Sequence, residues 1–166
     1  MKQKSLDTNS NITLALETYS DMVRRICFLY FQNSADVDDV FQEVFLKLLQ
    51  NKIPFESPEH EKAWLIRVTI NKCKDILKSF WRKNIDTIEN LELPFEDEAE
   101  NELLKVVLTL PEKYMEVIYL YYYEGYSVPE MAKMLGKSEG TLYSNLSRAR
   151  ALIKQKLGGK ESDYTF

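Results

Sequence analysis

The side chains best suited to chemistry in this sequence lie between Thr141 and Lys160, near the end of the chain. That segment contains five Lys or Arg residues, no Asp or Glu, and several hydroxyl and amide groups. Hydroxyl, amide and guanidinium groups form hydrogen bonds with base edges and phosphates, so the segment indicates a nucleic-acid contact. A solvated face on an ordinary helical hairpin is the alternative. The side chains expected to face outward are Lys137, Thr141, Tyr143, Ser144, Asn145 and Arg148.

A second basic segment lies in the first half of the chain. Residues 62–83 contain seven Lys or Arg and one acid, Asp75, with Trp64, Phe80 and Trp81 interleaved. Cations follow a phosphate backbone, and aromatic rings can stack on unpaired bases. Because Trp64 and Phe80 also lie near the apolar side of the predicted helix, packing in the core is the alternative for both rings.

An acidic cluster begins the second predicted helix. It contains Asp36, Asp38, Asp39 and Glu43, with Gln42 among them. Acids at a helix start interact favourably with the helix dipole, so most of the cluster needs no functional explanation. A divalent-metal site would need further ligands, and a docking surface for a basic partner is the better functional alternative.

Catalytic residues are missing from the sequence. It contains no nucleophile–base pair, glycine-rich phosphate loop or metal-ligand cluster, so no residues in the sequence support an enzymatic function. Cys27, Cys73 and the single His60 are too few and too scattered for a zinc site, and we expect no metal or cofactor. We expect both thiols to be buried in a reducing cytosol. No secretory signal or membrane-length apolar run is visible.

The segments that carry these basic, polar and acidic side chains are predicted to be helical almost throughout. Apolar residues recur at helical spacing, and Pro, Gly and Ser residues mark the helix ends. The last two helices form a pair in which Met131, Ala132 and Leu135 are expected to face Leu142, Leu146 and Ala149. The predicted helices cover residues 12–30, 36–50, 57–83, 102–109, 111–124, 127–136 and a final helix capped by Ser138.

The charge pattern divides the chain into two lobes. Residues 84–104 contain eight acids and no Lys or Arg, whereas the whole chain has a net charge of −4. The two ends are therefore mildly basic, and an acidic connector separates them. We expect an all-α protein with one small domain at 1–83, a flexible linker at 84–101 and a second domain with a helix-turn-helix at 102–166.

Four segments, in order, resemble the extracytoplasmic-function group of bacterial sigma factors. Asp36 to Leu48 is similar to the family's core-binding helix, D-A-E-D-L-V-Q-E-T-F-L-R-A, and Ala63 to Asp75 resembles A-W-L-x-R-I-A-x-N-x-x-x-D. Leu110 and the residues after it resemble L-P-x-x-x-x-x-V-I. Glu139 to Arg150 resembles E-G-T-V-K-S-R-L-S-R-A-R, although the family's Lys and Arg in K-S-R are Tyr143 and Asn145 here.

The resemblance implies a promoter-specificity subunit of RNA polymerase that carries no catalysis itself. Core polymerase would bind Asp36, Asp39, Gln42, Glu43 and Leu46. Arg67, Asn71, Lys72, Lys74 and Lys78 would contact the −10 element, and the loop from Pro54 to His60 would capture an unpaired base. The −35 duplex would contact Lys137, Thr141, Tyr143, Ser144, Asn145, Arg148 and Arg150.

The same resemblance implies three partners. These are core polymerase, through its largest subunit and flap region, promoter DNA, and an anti-sigma protein. The chain would work in the cytoplasm, or be held at the membrane by that anti-sigma partner, without inserting itself. The main alternative is a free-standing helix-turn-helix regulator that binds operators as a two-fold dimer. A metal-dependent enzyme is a remote third.

Overall fold

A computed structural model describes the backbone of residues 2–79 and 98–158, and the side chains of 11–79 and 101–158. The described residues form seven α-helices and one π-helical turn, with no strand among them. The chain divides into two compact units, Met1–Leu91 and Glu92–Phe166. The all-α, two-domain prediction is confirmed, and the predicted linker falls mostly on residues outside the described ranges.

The first unit is a bundle of three helices in which each helix packs against the other two. They are α1 (Lys2–Tyr30), α2 (Ser34–Gln50) and α3 (Pro58–Ser79). Each buried aliphatic side chain stabilises the bundle by about 1.5–3 kcal/mol relative to exposure. Its fully buried residues include Val23, Ile26, Cys27, Val40, Val44, Leu65, Ile66 and Cys73. Both cysteines are buried inside this core, as expected.

Side-chain caps fix where α2 and α3 begin. The Asn33 side chain accepts a hydrogen bond from the backbone N–H of Asp36 at 2.8 Å. The Ser57 hydroxyl accepts one from the backbone N–H of His60 at 3.1 Å, and Pro58 opens the helix. These bonds satisfy amide groups that a helix start leaves without intrahelical partners. Local sequence therefore determines the register of the polar faces of both helices.

The second unit is built around its last helix. It contains α4 (Glu98–Leu108), α5 (Glu112–Ile118), a π-turn (Tyr119–Tyr123), α6 (Val128–Leu135) and α7 (Glu139–Lys156). Helices α4, α5 and α6 all contact α7. Leu142, Leu146, Ala149 and Ile153 form the buried side of α7. The first three were predicted to pack inward.

Two predicted details of the second unit are wrong. Helix α4 begins at Glu98, four residues before its predicted start at Glu102, because Glu98, Ala99 and Glu100 are strong helix formers. The inner side of α6 is formed by Val128, Met131 and Met134, whereas Ala132 and Leu135 are only half-buried. Met131 was predicted correctly, whereas Val128 and Met134 take the inward positions that were assigned to Ala132 and Leu135.

The tyrosine-rich run is buried at Tyr119, as predicted, but the predicted core residue Tyr122 is only half-buried, and the backbone is not a plain α-helix. Tyr119 is 1% exposed, while Tyr122 is half-buried and Tyr121 is exposed. The amide of Glu124 bonds the carbonyl of Tyr119 at 3.2 Å, five residues back, which is the π-helical pattern. None of the helices among the described residues is long and apolar enough to cross a membrane.

Candidate nucleic-acid interface

Side-chain caps and one glycine define where α6 and α7 begin and how the turn between them is formed. Ser127 and Glu130 form a reciprocal capping box, with the Ser127 N–H donating to the Glu130 carboxylate at 2.8 Å. This backbone bond, followed by the bond from the Ser127 hydroxyl, lowers the pKa of Glu130. Gly136 ends α6 with φ +65°, and the Ser138 hydroxyl accepts from the Thr141 N–H at 3.2 Å. Every turn residue predicted from sequence takes its expected role.

The outer side of α7 presents polar side chains near its N-terminus. Thr141, Tyr143, Ser144 and Arg148 are exposed, and Tyr143 is 56% exposed. Lys137, in the turn before the helix, is half-buried. The N-terminal end of a helix, together with this set of side chains, can bond both phosphates and base edges.

Asn145 is a correction to the predicted face. Its side chain was expected to point outward, but it is 5% exposed. Asn145 follows Leu142 by three residues and precedes Ala149 by four, so helical geometry places it on the buried side. The polar identity of the residue predicted the opposite side.

Arg150 also differs from a free cation. Its Nε donates to the Tyr122 hydroxyl at 2.7 Å, and its guanidinium lies 5.6 Å and 5.7 Å from the ring centres of Tyr121 and Tyr122. The side chain is half-buried and ties α7 to the π-turn. Its first contact is therefore internal to the second unit.

The polar side of α3 carries four of the five residues predicted for −10 DNA. Arg67, Asn71, Lys74 and Lys78 follow spacings of four, three and four residues, so they share one side of the helix. Arg67, Asn71 and Lys78 are exposed, and Lys74 is half-buried. We call this set the α3 stripe.

Lys72 lies on a different side of α3. It is about 100° further around the helix than Asn71, and its ammonium forms an ion pair with the carboxylate of Glu43 on α2. Helix α3 therefore directs this cation to α2 and the stripe cations away from it.

An aromatic cluster lies at the N-terminal end of the stripe. The Phe55 ring meets His60 edge-on at 5.4 Å and Trp64 at 5.5 Å between ring centres. His60 Nδ1 accepts a hydrogen bond from the Glu56 N–H at 3.2 Å, which folds the loop back onto the helix. Trp64 is half-buried, so it is neither a full core residue nor a free ring. Sequence reasoning named the loop but missed the contribution of Phe55.

A tyrosine of α1 anchors the start of α3. The Tyr19 hydroxyl donates to the Pro58 carbonyl at 3.2 Å. Burial, and then the charges of Glu61 and Glu59, raise the pKa of Tyr19, so the hydroxyl keeps its proton and remains a donor. The loop and the stripe thus start from a tethered point.

The acidic side of α2 separates into structural and outward-facing groups. Asp36 accepts from the Asn33 amide at 2.7 Å, and Asp38 pairs with Arg24 at 2.8 Å, so both contribute to the fold of the bundle. Asp39 and Gln42 are exposed, and Leu46 is 52% exposed beside them. Of the five predicted core-binding residues, Asp36 is the least available.

An exposed apolar strip that the sequence did not reveal continues past the end of α2. Leu14, Leu49 and Ile53 are large apolar residues with much of their surface in water, and all three line one open groove.

Within the described residues, no three His, Cys, Asp or Glu side chains are grouped as a metal site requires.

Comparisons with known families agree with the two-unit geometry. Residues 15–83 match sigma-70 region 2, and residues 100–153 match sigma-70 region 4. The chain is 30% identical over 132 residues to the RNA polymerase sigma factor SigZ of Bacillus subtilis, covering 74% of this chain and 73% of that protein. It is 26% identical over 161 residues to SigV of the same organism, covering 95% and 96%.

Solved structures show the same fold. RpoE of Bartonella quintana, crystallised with the anti-sigma factor NepR, matches with a TM-score of 0.72 at 20% identity, over 93% of this chain and 99% of that chain. CnrH, solved with the cytosolic domain of CnrY, matches with a TM-score of 0.65 at 24% identity, over 92% and 91%.

Proposed function

The chain belongs to the extracytoplasmic-function sigma factors of bacterial RNA polymerase, and from that premise we propose which of its surfaces performs each part of the work. A sigma factor directs core RNA polymerase to promoters for transcription initiation. The observation that carries the assignment is that α3 and α7, in separate units, each expose a row of polar and basic groups of the kind that can bond nucleic acid. A chain with a net charge of −4 concentrates them on two helices.

We assign residues 1–83 to core binding and to recognition and melting of the −10 element. Residues 84–101 would connect the units, and residues 102–166 would read the −35 element as duplex. Three observations support this division: the charge pattern, the two compact units, and the position of one candidate DNA face in each.

Core polymerase would dock on the exposed part of α2, formed by Asp39, Gln42, Glu43 and Leu46. Carboxylate and amide groups around an exposed leucine suit a basic partner surface with an apolar centre. Asp36 contributes to this surface indirectly, since its carboxylate bonds the capping Asn33. The partner would be the largest subunit of the polymerase.

The α3 stripe would hold the −10 element. Arg67, Lys74 and Lys78 would follow the phosphates, and Asn71 would bond the edge of a base. Phe55 and Trp64 offer ring faces on which an unpaired base could stack, which lowers the free energy of strand opening. This loop and stripe together form a surface for single-stranded rather than duplex DNA.

Helix α7 would lie in the major groove of the −35 duplex. Thr141, Tyr143 and Ser144 are at its N-terminal end, where a recognition helix meets base edges, and Arg148 is one turn further on. The flap region of the polymerase would support this unit. Catalysis would remain with the polymerase, since the chain contributes binding surfaces and no reacting group.

An anti-sigma protein is the partner we propose for control. RpoE and CnrH, to which this chain is similar, were solved with NepR and with the cytosolic domain of CnrY. A partner of this kind would cover the exposed α2 surface and the outer side of α7 in the cytoplasm, and would hold the chain at the membrane if it is itself anchored there.

Run-off transcription with purified core polymerase tests the proposed function. We expect co-elution with core and a transcript that starts at a fixed position on a cognate promoter found by mapping transcripts after overexpression. If neither is observed, the proposal is wrong. A two-fold dimer that binds duplex DNA tightly without core would instead support the free-standing regulator.

A further inference from the structure

Lys72 is positioned to act on Glu43 and not on DNA. The two residues lie on α3 and α2, and their charged groups form an ion pair across the helix interface. The Lys72 side chain is 24% exposed and that of Glu43 is 47% exposed, so the ammonium is the more enclosed partner. The cation is held against α2, on the flank away from the α3 stripe.

The pair contributes little to the stability of the fold. An ion pair this exposed typically adds about 0–1 kcal/mol, because solvent screens the charges and two long side chains lose freedom. Its larger effect is on orientation. A glutamate rotates about three side-chain bonds, and a bond to a neighbouring helix restricts that rotation before any partner arrives.

The bond to Lys72 leaves Glu43 able to accept further hydrogen bonds. A carboxylate has two oxygens and about four acceptor positions, so an ammonium on one side still allows a donor from a partner on the other. Glu43 lies next to the exposed Gln42 and one turn from Asp39 and Leu46. The held carboxylate is therefore part of the exposed α2 surface.

We propose that Lys72 belongs to the core-binding surface and not to the −10 surface, as a positioning residue that orients the Glu43 carboxylate for core polymerase. This inference rests on the proposed function, because it requires that core polymerase docks on α2. It assigns two neighbouring lysines of one helix to different partners: Lys72 acts with the polymerase, and Lys74 acts with DNA.

A double-mutant cycle on the full chain tests the assignment. Lys72→Met, Glu43→Gln and the double variant are titrated with purified core polymerase in the absence of DNA. We expect Lys72→Met to weaken core binding by about threefold to tenfold, as for coupled neighbouring residues, and to have little further effect when Glu43 is already Gln. Lys72→Arg keeps the cation and should restore most of the affinity.

Lys74→Met is the contrasting variant, with the same loss of charge two residues away. Binding of holoenzyme, formed at saturating core, to a DNA fork with an unpaired −10 strand should weaken for Lys74→Met and stay unchanged for Lys72→Met. Thermal unfolding of each variant separates positioning from general loss of structure, which would lower core affinity equally in both Glu43 backgrounds.

Several outcomes would overturn the inference. These are an equal loss of core affinity in both backgrounds, a gain in affinity when Lys72 is removed, or weaker fork binding with unchanged core binding. If the wild-type chain does not bind core at all, the proposed function itself fails. If it binds but Glu43→Gln has no effect, the docking role of Glu43 fails, and the role of Lys72 with it.

Discussion

Arg150 donates a hydrogen bond to the hydroxyl of Tyr122 at 2.7 Å, across 28 positions of sequence. The bond joins the middle of α7 to the π-turn, and the two neighbouring tyrosine rings lie beneath the guanidinium. Arg148, two residues earlier, is exposed on the outer side of the same helix. The two arginines of this motif therefore have different surroundings, and we expect them to have different functions.

Arg148→Ala should weaken binding to a −35 duplex and reduce its salt dependence. Loss of one phosphate contact lowers the slope of log affinity against log salt by about 0.9. Because Arg148 is exposed, the melting temperature should not change. Affinity measured at several salt concentrations checks this, and an unchanged slope would remove Arg148 from the phosphate contacts.

Arg150→Ala should act on stability first. It removes the hydrogen bond that the charged Arg150 donates to Tyr122 and two cation–ring contacts. Together these contacts stabilise the fold by about 1–3 kcal/mol when partly buried. We expect a lower free energy of unfolding of the second unit, measured by denaturant titration. Tyr122→Phe is the milder variant, since it deletes the hydroxyl and keeps the ring. Full stability in both variants would refute the internal role.

Tyr143→Lys should make DNA binding less selective. This change introduces the cation that the resembled family carries at the position, where the present side chain is uncharged and 56% exposed. We expect tighter binding to non-cognate duplexes and a salt slope steeper by about 0.9. Binding to a panel of −35 variants measures the change in base preference, and an unaltered preference would show that Tyr143 does not read a base.

Asn145→Ala should alter stability rather than recognition. The side chain is 5% exposed, so it is directed toward the core and away from a docked duplex. We expect the free energy of unfolding to fall by about 1 kcal/mol, as for a typical substitution, with the −35 base preference unchanged. Chemical denaturation and the same duplex panel measure both quantities. A shift in base preference would place this residue at the interface after all.

Ser127→Ala should destabilise the second unit by about 1 kcal/mol, because it removes one half of the capping box.

Glu130 supplies the other half of the capping box, and its ionisation makes the stability of the second unit depend on pH. Its pKa is lower in the folded chain than the ordinary 4.5, so the ionised carboxylate stabilises the fold above pH 4.5. That contribution is lost as pH falls through the lowered pKa. Acid unfolding of Glu130→Gln should lack this component, whereas an identical acid transition would exclude it.

The sequence was sufficient for the features that local chemistry encodes. Ser127 and Glu130 specify the start of α6, and Gly136 and Ser138 specify the turn between α6 and α7, through their own caps and backbone angles; each was predicted in its role. The side chain that caps a helix and the backbone amide that it bonds lie within four residues of each other in the sequence. Such features are read without knowledge of the tertiary fold.

The features that were missed depend on tertiary packing. Asn145 is buried because α7 turns that side toward the rest of its unit, and residue type alone pointed the other way. Lys72 was grouped with the stripe because of its charge, but the packing of α2 against α3 decides which cation meets Glu43. Which side of a helix is covered follows from neighbours distant in sequence.

The π-turn constrains the number of residues in the segment Tyr119–Tyr123 more strictly than it constrains their identities. Each residue of an α-helix advances the chain by about 100°, and the π pattern at Tyr119–Tyr123 accommodates one residue more than an α-turn would. A single-codon deletion there would remove the extra residue of the π-turn and change which tyrosine hydroxyl faces Arg150. Replacement of a tyrosine by phenylalanine leaves that spacing intact. In a library of insertions and deletions, we expect folded variants to keep all five residues of this segment. Conservative substitutions within it should be accepted.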